Sequence, residues 1–435
     1  MAQAASTNSG KADGPAYWAL FVLTMVYALN IADRYVLSTL IEPIRKEFAL
    51  TDSTLALVTG VGMAIFYVTA GIPLGVLADR VNRKRMIVVA LTAWSAMTAL
   101  CGLSQNFVQL LLARIGVGIG EAGGTPPSQS MLADYFPPEK RALATSIYAL
   151  GVPVGSAVGG IVAAYVAEAH GWRAALVAAA AMSAPVILLM ISLREPTRGR
   201  FDAPEDSAGG ENSTGLRSTL EFIWARPAAR HVMAGATIAT FSGMGLIWWT
   251  PAFLSRSHGL SVGEAGIEVG MMNGIGGTLA LVLSAILMVK LTRHPPQVLA
   301  YFLALVTGLI TAPAVLAHAT TNTGFTLVNL WLLISLAAIY IGPTLALLQN
   351  LLPSTMRATG VAILLFTANL ANLVIAPQGI GGLSDLLRPH LADPESSLRI
   401  ALLCCSITGL WAAAHFTLAG LALAAEAREA GGFRA

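Results

Sequence analysis

The sequence is poor in charge, because only 11% of its 435 residues are Asp, Glu, Lys or Arg. Soluble domains carry about a quarter charged residues, so this chain has too few to cover a water-facing surface. Apolar residues make up 55% of the chain and come in blocks of about 20, the length of a helix that crosses a bilayer. The composition predicts an integral membrane protein and excludes a soluble enzyme, a nucleic-acid-binding protein and a disordered scaffold.

Cysteine is also scarce. Cys101, Cys404 and Cys405 all fall inside apolar segments, and an odd number of such thiols cannot form a disulfide framework. Residues 1–16 lack the basic start, apolar core and cleavage site of a signal peptide, so none is expected. The sequence has no HExxH pair, nucleophilic serine elbow, Cys/His metal spacing or phosphate loop, so we expect no enzyme activity, no cofactor and no metal.

Twelve apolar blocks separated by charged or Pro/Gly-rich breaks predict twelve membrane-spanning helices. Unbroken apolar runs lack the alternation of barrel strands, which leaves helices as the spanning structure. One long polar interruption predicts an N-terminal six-helix half at 1–193, a linker at 194–228 and a C-terminal six-helix half with a short tail at 229–435. The predicted spans lie near 17–40, 55–78, 86–104, 107–134, 141–169, 172–193, 229–256, 263–290, 296–318, 325–350, 355–386 and 397–424.

Lys and Arg are distributed unevenly between alternate loops. The loops on the side of the two termini hold 18 of the 26 basic residues and the opposite loops hold 6, while Arg34 and Arg114 lie inside spans. The positive-inside rule therefore predicts that both termini are cytoplasmic. We expect a plasma or inner membrane location.

The two halves look like copies of one unit. LADYFPPEKRALA lies 216 residues before LQNLLPSTMRATG, which aligns Pro137 with Pro353 and Arg141 with Arg357. A parallel repeat of two six-helix halves is typical of secondary transporters. Glycines one turn apart let helices approach closely, and two such rows are expected to meet at the interface between the halves. They are Gly151, Gly155 and Gly159 in helix 5, and Gly266, Gly270 and Gly274 in helix 8.

The most informative residues are charges inside spans. Asp33 and Arg34 lie in helix 1, and Arg114 and Glu121 lie in helix 4. Each costs about 2.5–3.5 kcal/mol at mid-helix, so the four require mutual pairing, a wet cavity or both. Arg114 and Glu121 are about two turns apart and share one face, where Gly118 is expected to leave room for a helix 1 side chain.

The second half shows no comparable charges, so any proton coupling is expected in the first half. Asp33 and Glu121 are predicted to exchange protons, with Arg34 and Arg114 setting their affinity. The alternative is a permanent ion-pair cluster that ties helix 1 to helix 4.

A short basic loop, GVLADRVNRKR, lies between helices 2 and 3. It resembles the commonest signature of the major facilitator superfamily, with Asn82 in place of a glycine, and Asn tolerates left-handed backbone geometry. In that family the aspartate contacts the opposite half and stabilises the outward-open state, which implies this role for Asp79; the alternative is that the cations only set topology. The predicted gating network, in which Asp134 is the partner of Arg83, consists of Gly75, Asp79, Arg80, Arg83, Lys84, Asp134, Arg141 and Arg357.

Three motifs together resemble the spinster branch of that superfamily: ADRY in helix 1, RIGVGIGEAGGTPPSQSMLADYFPPEKRA through helix 4, and GVPVGSAVGG in helix 5. The resemblance implies the all-α major facilitator fold, with 12 transmembrane helices in two six-helix halves. It also implies transport of lysophospholipids or sphingolipid phosphates, with proton coupling and a monomeric state. Asp33 and Glu121 fall at the branch's protonation positions, with Arg34 and Arg114 near a phosphate or carboxylate.

The expected function is therefore secondary active transport of an amphipathic lipid or related organic anion by alternating access, with protons and membrane lipids as the other partners. A symporter for small carboxylates or sugar acids is the alternative within transport, and a receptor or sensor without flux is the alternative from another class. Transport direction and stoichiometry stay open. Predicted cavity residues, which pack in the alternative interpretation, are Asn30, Thr125, Ser128, Trp248, Trp249, Asn273, Tyr340, Phe366, Asn369 and Asn372, together with Met271 and Met272.

Overall fold

The computed structural model describes residues 14–78, 80–201, 215–291 and 293–432, and every regular element in them is helical. The helices in chain order are α1 Gly14–Thr39, α2 Ile41–Phe48, α3 Asp52–Ala56, α4 Gly62–Ala78, α5 Arg83–Gly102, α6 Phe107–Ala122, α7 Thr125–Tyr135, α8 Pro138–Ala149, α9 Gly151–Ala181, α10 Ser183–Ser192, α11 Leu216–Ala225, α12 Pro227–Thr240, α13 Leu246–His258, α14 Val262–Met271, α15 Gly277–Leu291, α16 Pro296–Ala319, α17 Thr323–Leu336, α18 Ile341–Leu351, α19 Arg357–Leu370, α20 Ala376–Leu387, α21 Ser397–Ser406 and α22 Thr408–Gly432.

Eleven continuous helical stretches in the described residues are long and apolar enough to cross a membrane. One of them, Pro138–Ser192, is 55 residues long, which is far more than one crossing needs. Gly171 interrupts it with φ +82 and ψ 166, in a region that side-chain-bearing residues avoid. The chain reverses there, since Trp172 lies near Glu47 at one end of α1 and Ser192 lies near Trp18 at the other. This reversal accounts for the twelfth predicted crossing.

Polar side chains mark where several of these helices begin. Asn82, Asn106 and Asn322 each accept a hydrogen bond from the backbone N–H three residues later, which satisfies a donor that the first turn leaves without a partner. Ser261 and Glu264 form a reciprocal capping box at the start of α14. These caps place the helix starts close to the predicted span boundaries.

The helix 5 glycines do not lie where the sequence analysis expected. A Cβ on Gly155 or Gly159 would come within 2.4 Å of backbone oxygens of Ala28 and Ala32, so this row packs against α1 inside the N-terminal half. An adjoining face of α9 meets the other half, where Gly160 lies against Gly266 and Gly270. The expectation that the two rows meet was wrong, because the residue of α9 that faces α14 is Gly160, about 100° further around the helix than Gly159.

The repeat is visible in local hydrogen bonding. Nε of Arg141 donates to the backbone oxygen of Phe136, five residues earlier. Nε of Arg357 makes the same bond to Leu352, also five residues earlier. Equivalent arginines thus close equivalent turns in the two halves.

Two π-helical segments meet where α3–α4 crosses α19–α20. They are Leu57–Val61 and Ala371–Ile375, and a Cβ on Gly60 would lie 2.3 Å from the backbone oxygen of Leu373. The halves therefore touch backbone to backbone at this seam. Further π segments, Phe241–Gly245 and Met272–Gly276, interrupt helices of the C-terminal half. Such interruptions are frequent at functional sites.

Charged residues tie the halves together at one end. Arg256 donates to Glu42 at 2.6 Å and to both oxygens of Asp52 at 2.8 Å, while Arg45 bridges to Glu42 at 2.8 Å and to Glu395 at 2.9 Å. We call these five residues the clasp. Every salt bridge that joins the two halves within the described residues belongs to it.

Further hydrogen bonds reinforce this end. The backbone N–H groups of Asp52 and Ser53 donate to the carboxylate of Asp385 at 2.9 and 2.8 Å, so a side chain of one half caps a helix start of the other. Both ends of the described chain lie at the opposite end of the molecule, because α1 runs from Gly14 toward the clasp and Glu426 of α22 pairs with Arg226 at the start of α12.

Candidate functional site

The four predicted intramembrane charges form two crossed ion pairs between α1 and α6. Nη1 of Arg114 donates to Asp33 at 2.6 Å, and Arg34 donates to one oxygen of Glu121 through Nε at 3.2 Å and Nη2 at 2.9 Å. Each helix thus contributes one acid and one base. This pairing offsets much of the cost of placing four charges within a membrane.

The Asp33 pair is sealed inside the N-terminal half. Arg114 is fully buried and Asp33 is 5% exposed, and the second Asp33 oxygen accepts from Thr98 at 2.5 Å. A cavity of about 10 Å³ beside them is lined in part by Ser95, Thr98 and Ser183, which is room for about one water molecule. This pair faces α5 and α10, away from the other half.

The Arg34 pair has a different environment. The Glu121 side chain is fully buried, but 14% of the Arg34 side chain is exposed, and its Cζ lies 5.2 Å from the ring centroid of Tyr67. The second Glu121 oxygen, Oε1, has no hydrogen-bond partner among the described residues. A buried carboxylate oxygen without a partner is costly, so this pair is incompletely satisfied. Asp33 and Arg34 are adjacent on α1, yet the Asp33–Arg114 pair is buried in the interior and the Arg34–Glu121 pair is partly accessible.

Gly118 does not serve helix 1 as predicted. A Cβ at Gly118 would come within 2.6 Å of the backbone oxygen of Met63, so the glycine makes room for α4. Met63 also accepts a contact from Nη2 of Arg114 at 3.4 Å through its sulfur.

A larger cavity opens between α7 and α8. Its volume is about 170 Å³, and Gln129, Thr145 and Tyr148 lie in its wall. Tyr148 stacks on Tyr27 with ring centroids 4.6 Å apart, and Tyr27 lies about two turns before Arg34 on α1. The cavity is smaller than a typical ligand pocket of about 300 Å³ or more.

The wall of this cavity does not include the predicted first-half cavity residues Asn30, Thr125 and Ser128. Asn30 is buried, and its Nδ2 has no partner among the described residues. Ser128 is buried and donates to the backbone oxygen of Gly124 at 2.7 Å, while Thr125 is half-buried. Asn30 is therefore the group with spare donor capacity.

The second-half candidates separate into three groups. Trp248 and Asn273 lie at the junction of the halves, where they contact Ser38 and Tyr35 at 2.7 and 3.2 Å. Trp249 and Tyr340 are buried inside the C-terminal half, as is Met272, and the Tyr340 hydroxyl donates to Thr240 at 2.9 Å. The exposed or half-buried side chains are Met271, Phe366, Asn369 and Asn372.

From the sequence, the second half was expected to have no charges comparable with the four of the first, but two acids lie inside its apolar helical stretches. Glu268 lies inside the spanning stretch Val262–Leu291 and accepts from Nε1 of Trp331 at 3.4 Å. Asp385 lies in another spanning stretch, Thr359–His390. Both acids stand within the apolar blocks of the sequence. Asp385 has Arg388 three residues later, whereas Glu268 has no basic residue within four positions.

The gating residues lie at the end opposite the clasp. Arg83 pairs with Asp134 at 2.5 Å, as predicted, and also with Glu195 at 2.9 Å. The carboxylate of Glu195 accepts from the backbone N–H groups of Arg83 and Lys84, so the beginning of the linker caps α5. Asp79 falls outside the described residues. Gly75 is half-buried and Arg80 is exposed.

Sequence reasoning missed Tyr67, Thr98 and all of the clasp. The clasp partners are 3 to 350 residues apart in the chain, and their charges had been counted only toward topology. One signal was available: acids and bases are mixed in the loops of the clasp end, whereas basic residues dominate the opposite loops.

Comparisons with known proteins match this architecture. Residues 23–376 match the family model of the Major Facilitator Superfamily. An MFS-type efflux pump of Mycolicibacterium smegmatis is 31% identical over 405 residues, which are 92% of each chain. Protein spinster homolog 3 of Danio rerio is 28% identical over 449 residues, covering 93% of this chain and 85% of the relative.

A solved structure shows the same fold. It is a bacterial homolog of the human lysosomal transporter Spinster in an inward-facing, unoccupied conformation, with a TM-score of 0.81 and 28% identity over 95% of this chain and 98% of that chain. The crossed ion pairs, the two related halves and these similarities all indicate a transporter rather than an enzyme. The chain belongs to the major facilitator superfamily and is an integral membrane transporter of the spinster type.

Proposed function

We propose that this transporter moves an amphipathic anion, a lysophospholipid or sphingolipid phosphate, in exchange with or together with protons. The observation that carries the proposal is the Arg34–Glu121 pair. Its arginine is partly exposed and its carboxylate keeps one oxygen without a partner. A pair held in this way can give up its internal bond to an incoming anion.

The carboxylate of Glu121 and the substrate anion compete for the same arginine in this arrangement. While Glu121 is ionised it neutralises Arg34, and a phosphate that approaches meets a pair without net charge. Protonation of Glu121 removes this competitor and leaves the guanidinium to the substrate, since a cation attracts an anion most strongly when no other anion balances it. Protonated Glu121 therefore favours the bound headgroup.

Asp33 would couple protonation to transport in a second way, through the position of α1. Its bonds to Arg114 and Thr98 hold α1 to α6 and α5, and its carboxylate is shielded from the exposed face of Arg34. A proton on Asp33 would weaken the bond to Arg114 and loosen α1, the helix that also carries Arg34. Coupling would thus pass through the position of one helix.

Alternating access follows from the two ends of the molecule. The clasp closes one end. We place that end on the non-cytoplasmic side of the membrane and both termini in the cytoplasm, because basic residues dominate the loops at the opposite end. The conformation is then open toward the cytoplasm. The name of the Mycolicibacterium relative, an efflux pump, supports outward movement of the substrate.

Binding measurements test the headgroup site. Lysophosphatidate binding to purified protein should be lost in Arg34→Gln and should become independent of pH in Glu121→Gln, whereas wild type should bind more tightly as pH falls. Arg173→Gln is the matched control, because Arg173 pairs with Glu47 at the clasp end, away from the cavity. Unchanged binding in Arg34→Gln would overturn the assignment.

A small carboxylate is the second candidate substrate. It is favoured by the limited exposure of Arg34, at 14%, which admits a compact anion more readily than a broad headgroup. Two compounds separate the candidates: glycerol phosphate has the anionic group without an acyl chain, and monoacylglycerol has an acyl chain without the anionic group. Binding of glycerol phosphate as tight as that of lysophosphatidate would favour the small anion, while a large gain from the acyl chain would favour the lipid.

A further inference from the structure

The linker contains a helix with an unusual outer surface. The linker at 194–228 was predicted from its polar composition, but it includes α11, Leu216–Ala225. This helix packs Thr219 and Ile223 against the C-terminal half. Both side chains are buried, at 0% and 6% exposure. The helix is therefore a fixed part of that half.

Next to the buried face lies a stripe of exposed apolar side chains. Leu216, Leu220 and Trp224 are 60%, 46% and 72% exposed. They recur every fourth residue, and at about 100° per residue they fall within an arc of about 80° that adjoins Ile223. Three large apolar groups on so short a helix form a surface that water does not favour.

A third face is charged. Arg217 and Glu221 form a salt bridge at 2.9 Å with both side chains largely exposed, and they lie about 100° and 140° around the helix from Leu216. α11 thus presents three successive arcs, one against protein, one apolar and exposed, and one charged. Such a sequence of arcs suits a helix that lies at the meeting of protein, lipid and water.

The position of α11 in the fold agrees with a location between protein, lipid and water. It ends at Ala225, and Pro227 begins the spanning stretch Pro227–His258. Arg226 fixes the junction through Glu426 at 2.7 Å and the backbone oxygen of Leu351 at 2.5 Å. The apolar stripe is therefore continuous with the entry of a membrane-spanning helix.

Trp224 lies where the apolar arc meets the charged one. Its ring centroid is 5.8 Å from Cζ of Arg230, which also donates to the Trp224 backbone oxygen at 3.3 Å. Tryptophan is enriched at the level of lipid headgroups, where an apolar ring with a polar edge is accommodated best. The residue at this boundary is thus the one that the interface prefers.

We propose that α11 lies in the plane of the membrane surface, with Leu216, Leu220 and Trp224 inserted into the phospholipid leaflet at the end opposite the clasp. The helix holds the C-terminal half at a fixed depth while the other half moves. It also gives the linker an attachment point beside the C-terminal half.

Spin-label accessibility tests this proposal on the full-length protein in phosphatidylcholine–phosphatidylglycerol vesicles. A nitroxide at Leu220→Cys, with Cys404 and Cys405 replaced by Ser, should collide readily with oxygen and be protected from a water-soluble nickel complex. The same label at Arg217→Cys, on the charged arc, is the matched control and should show the opposite order.

Two results would overturn the proposal. Nickel access at Leu220 equal to that at Arg217 would mean that the stripe faces water. Protection from both reagents together with spin–spin broadening would mean that a second copy of the chain covers it. A charged variant, Leu220→Glu, adds an independent readout, because it should lower the oxygen accessibility of a label at position 224 in folded protein.

Discussion

Replacing Arg256 by Met should move the transporter away from the conformation described above. Arg256 is 3% exposed and bonds to two acids of the other half. Removing one partner of a buried ion pair costs about 3–5 kcal/mol, because the remaining charges stay buried without compensation. Met replaces the aliphatic part of the Arg side chain and keeps its apolar packing, so the loss is mainly electrostatic.

The loss falls on one conformation only. When the clasp is open, water reaches Glu42 and Asp52 and their charges no longer need Arg256. Since every 1.4 kcal/mol changes an equilibrium about tenfold, the ratio of clasp-closed to clasp-open molecules should fall by about 100-fold or more. Neutralising both acids in the same chain, with Glu42→Gln and Asp52→Asn, should restore much of the closed population.

Electron–electron distance measurements would detect this change. Spin labels at Lys46→Cys and Ala392→Cys, one exposed site on each half beside the clasp, should show one short distance in wild type and an added long distance in Arg256→Met. Arg173→Met is the control, because it breaks a bridge within one half at the same end. An unchanged distribution in folded Arg256→Met, or an equal change in the control, would mean that the clasp does not stabilise the closed conformation.

Two further predictions concern stability. Gly155→Ala should lower the melting temperature, because its Cβ would lie 2.2 Å from a backbone oxygen of α1, whereas Gly71→Ala, with nothing within 4 Å, should be neutral or stabilising by up to about 1 kcal/mol; equal melting temperatures would contradict the packing argument. Hydrogen bonds from Trp172 and Arg173 hold the pKa of Glu47 below its ordinary value, so its contribution is present above pH of about 4.3 and is lost as pH falls further. The advantage in melting temperature of wild type over Glu47→Gln should therefore narrow in acid, and a constant difference from pH 7 to pH 3 would contradict it.

The sequence predicted the fold well because membrane-spanning helices can be recognised from the local sequence alone. Apolar block length, the polar linker and the 216-residue repeat are all readable without knowledge of contacts. The two ion pairs were also accessible to reasoning, since four charges in apolar blocks leave few ways to be satisfied. Gly171 could be placed only as a break between spans, which is what its backbone conformation makes it.

What escaped prediction depends on distant contacts. Arg256 and Glu42 are 214 residues apart, and each alone looks like an ordinary loop charge. The glycine rows were correctly recognised as close-packing faces, but which helix they face depends on a rotation of one residue, as between Gly159 and Gly160. The apolar stripe of α11 was hidden in a linker whose average composition is polar.

In the proposed mechanism, an amphipathic anion moves with proton coupling through the Arg34–Glu121 and Asp33–Arg114 pairs. Uptake of a labelled lysophospholipid or sphingosine phosphate into proteoliposomes, with and without an imposed pH gradient, tests it most directly. We expect gradient-stimulated flux in wild type, and loss of the stimulation in Asp33→Asn and Glu121→Gln. Flux that ignores both the gradient and the two substitutions, in protein shown to be folded, would contradict the claim and leave the charges as a structural cluster.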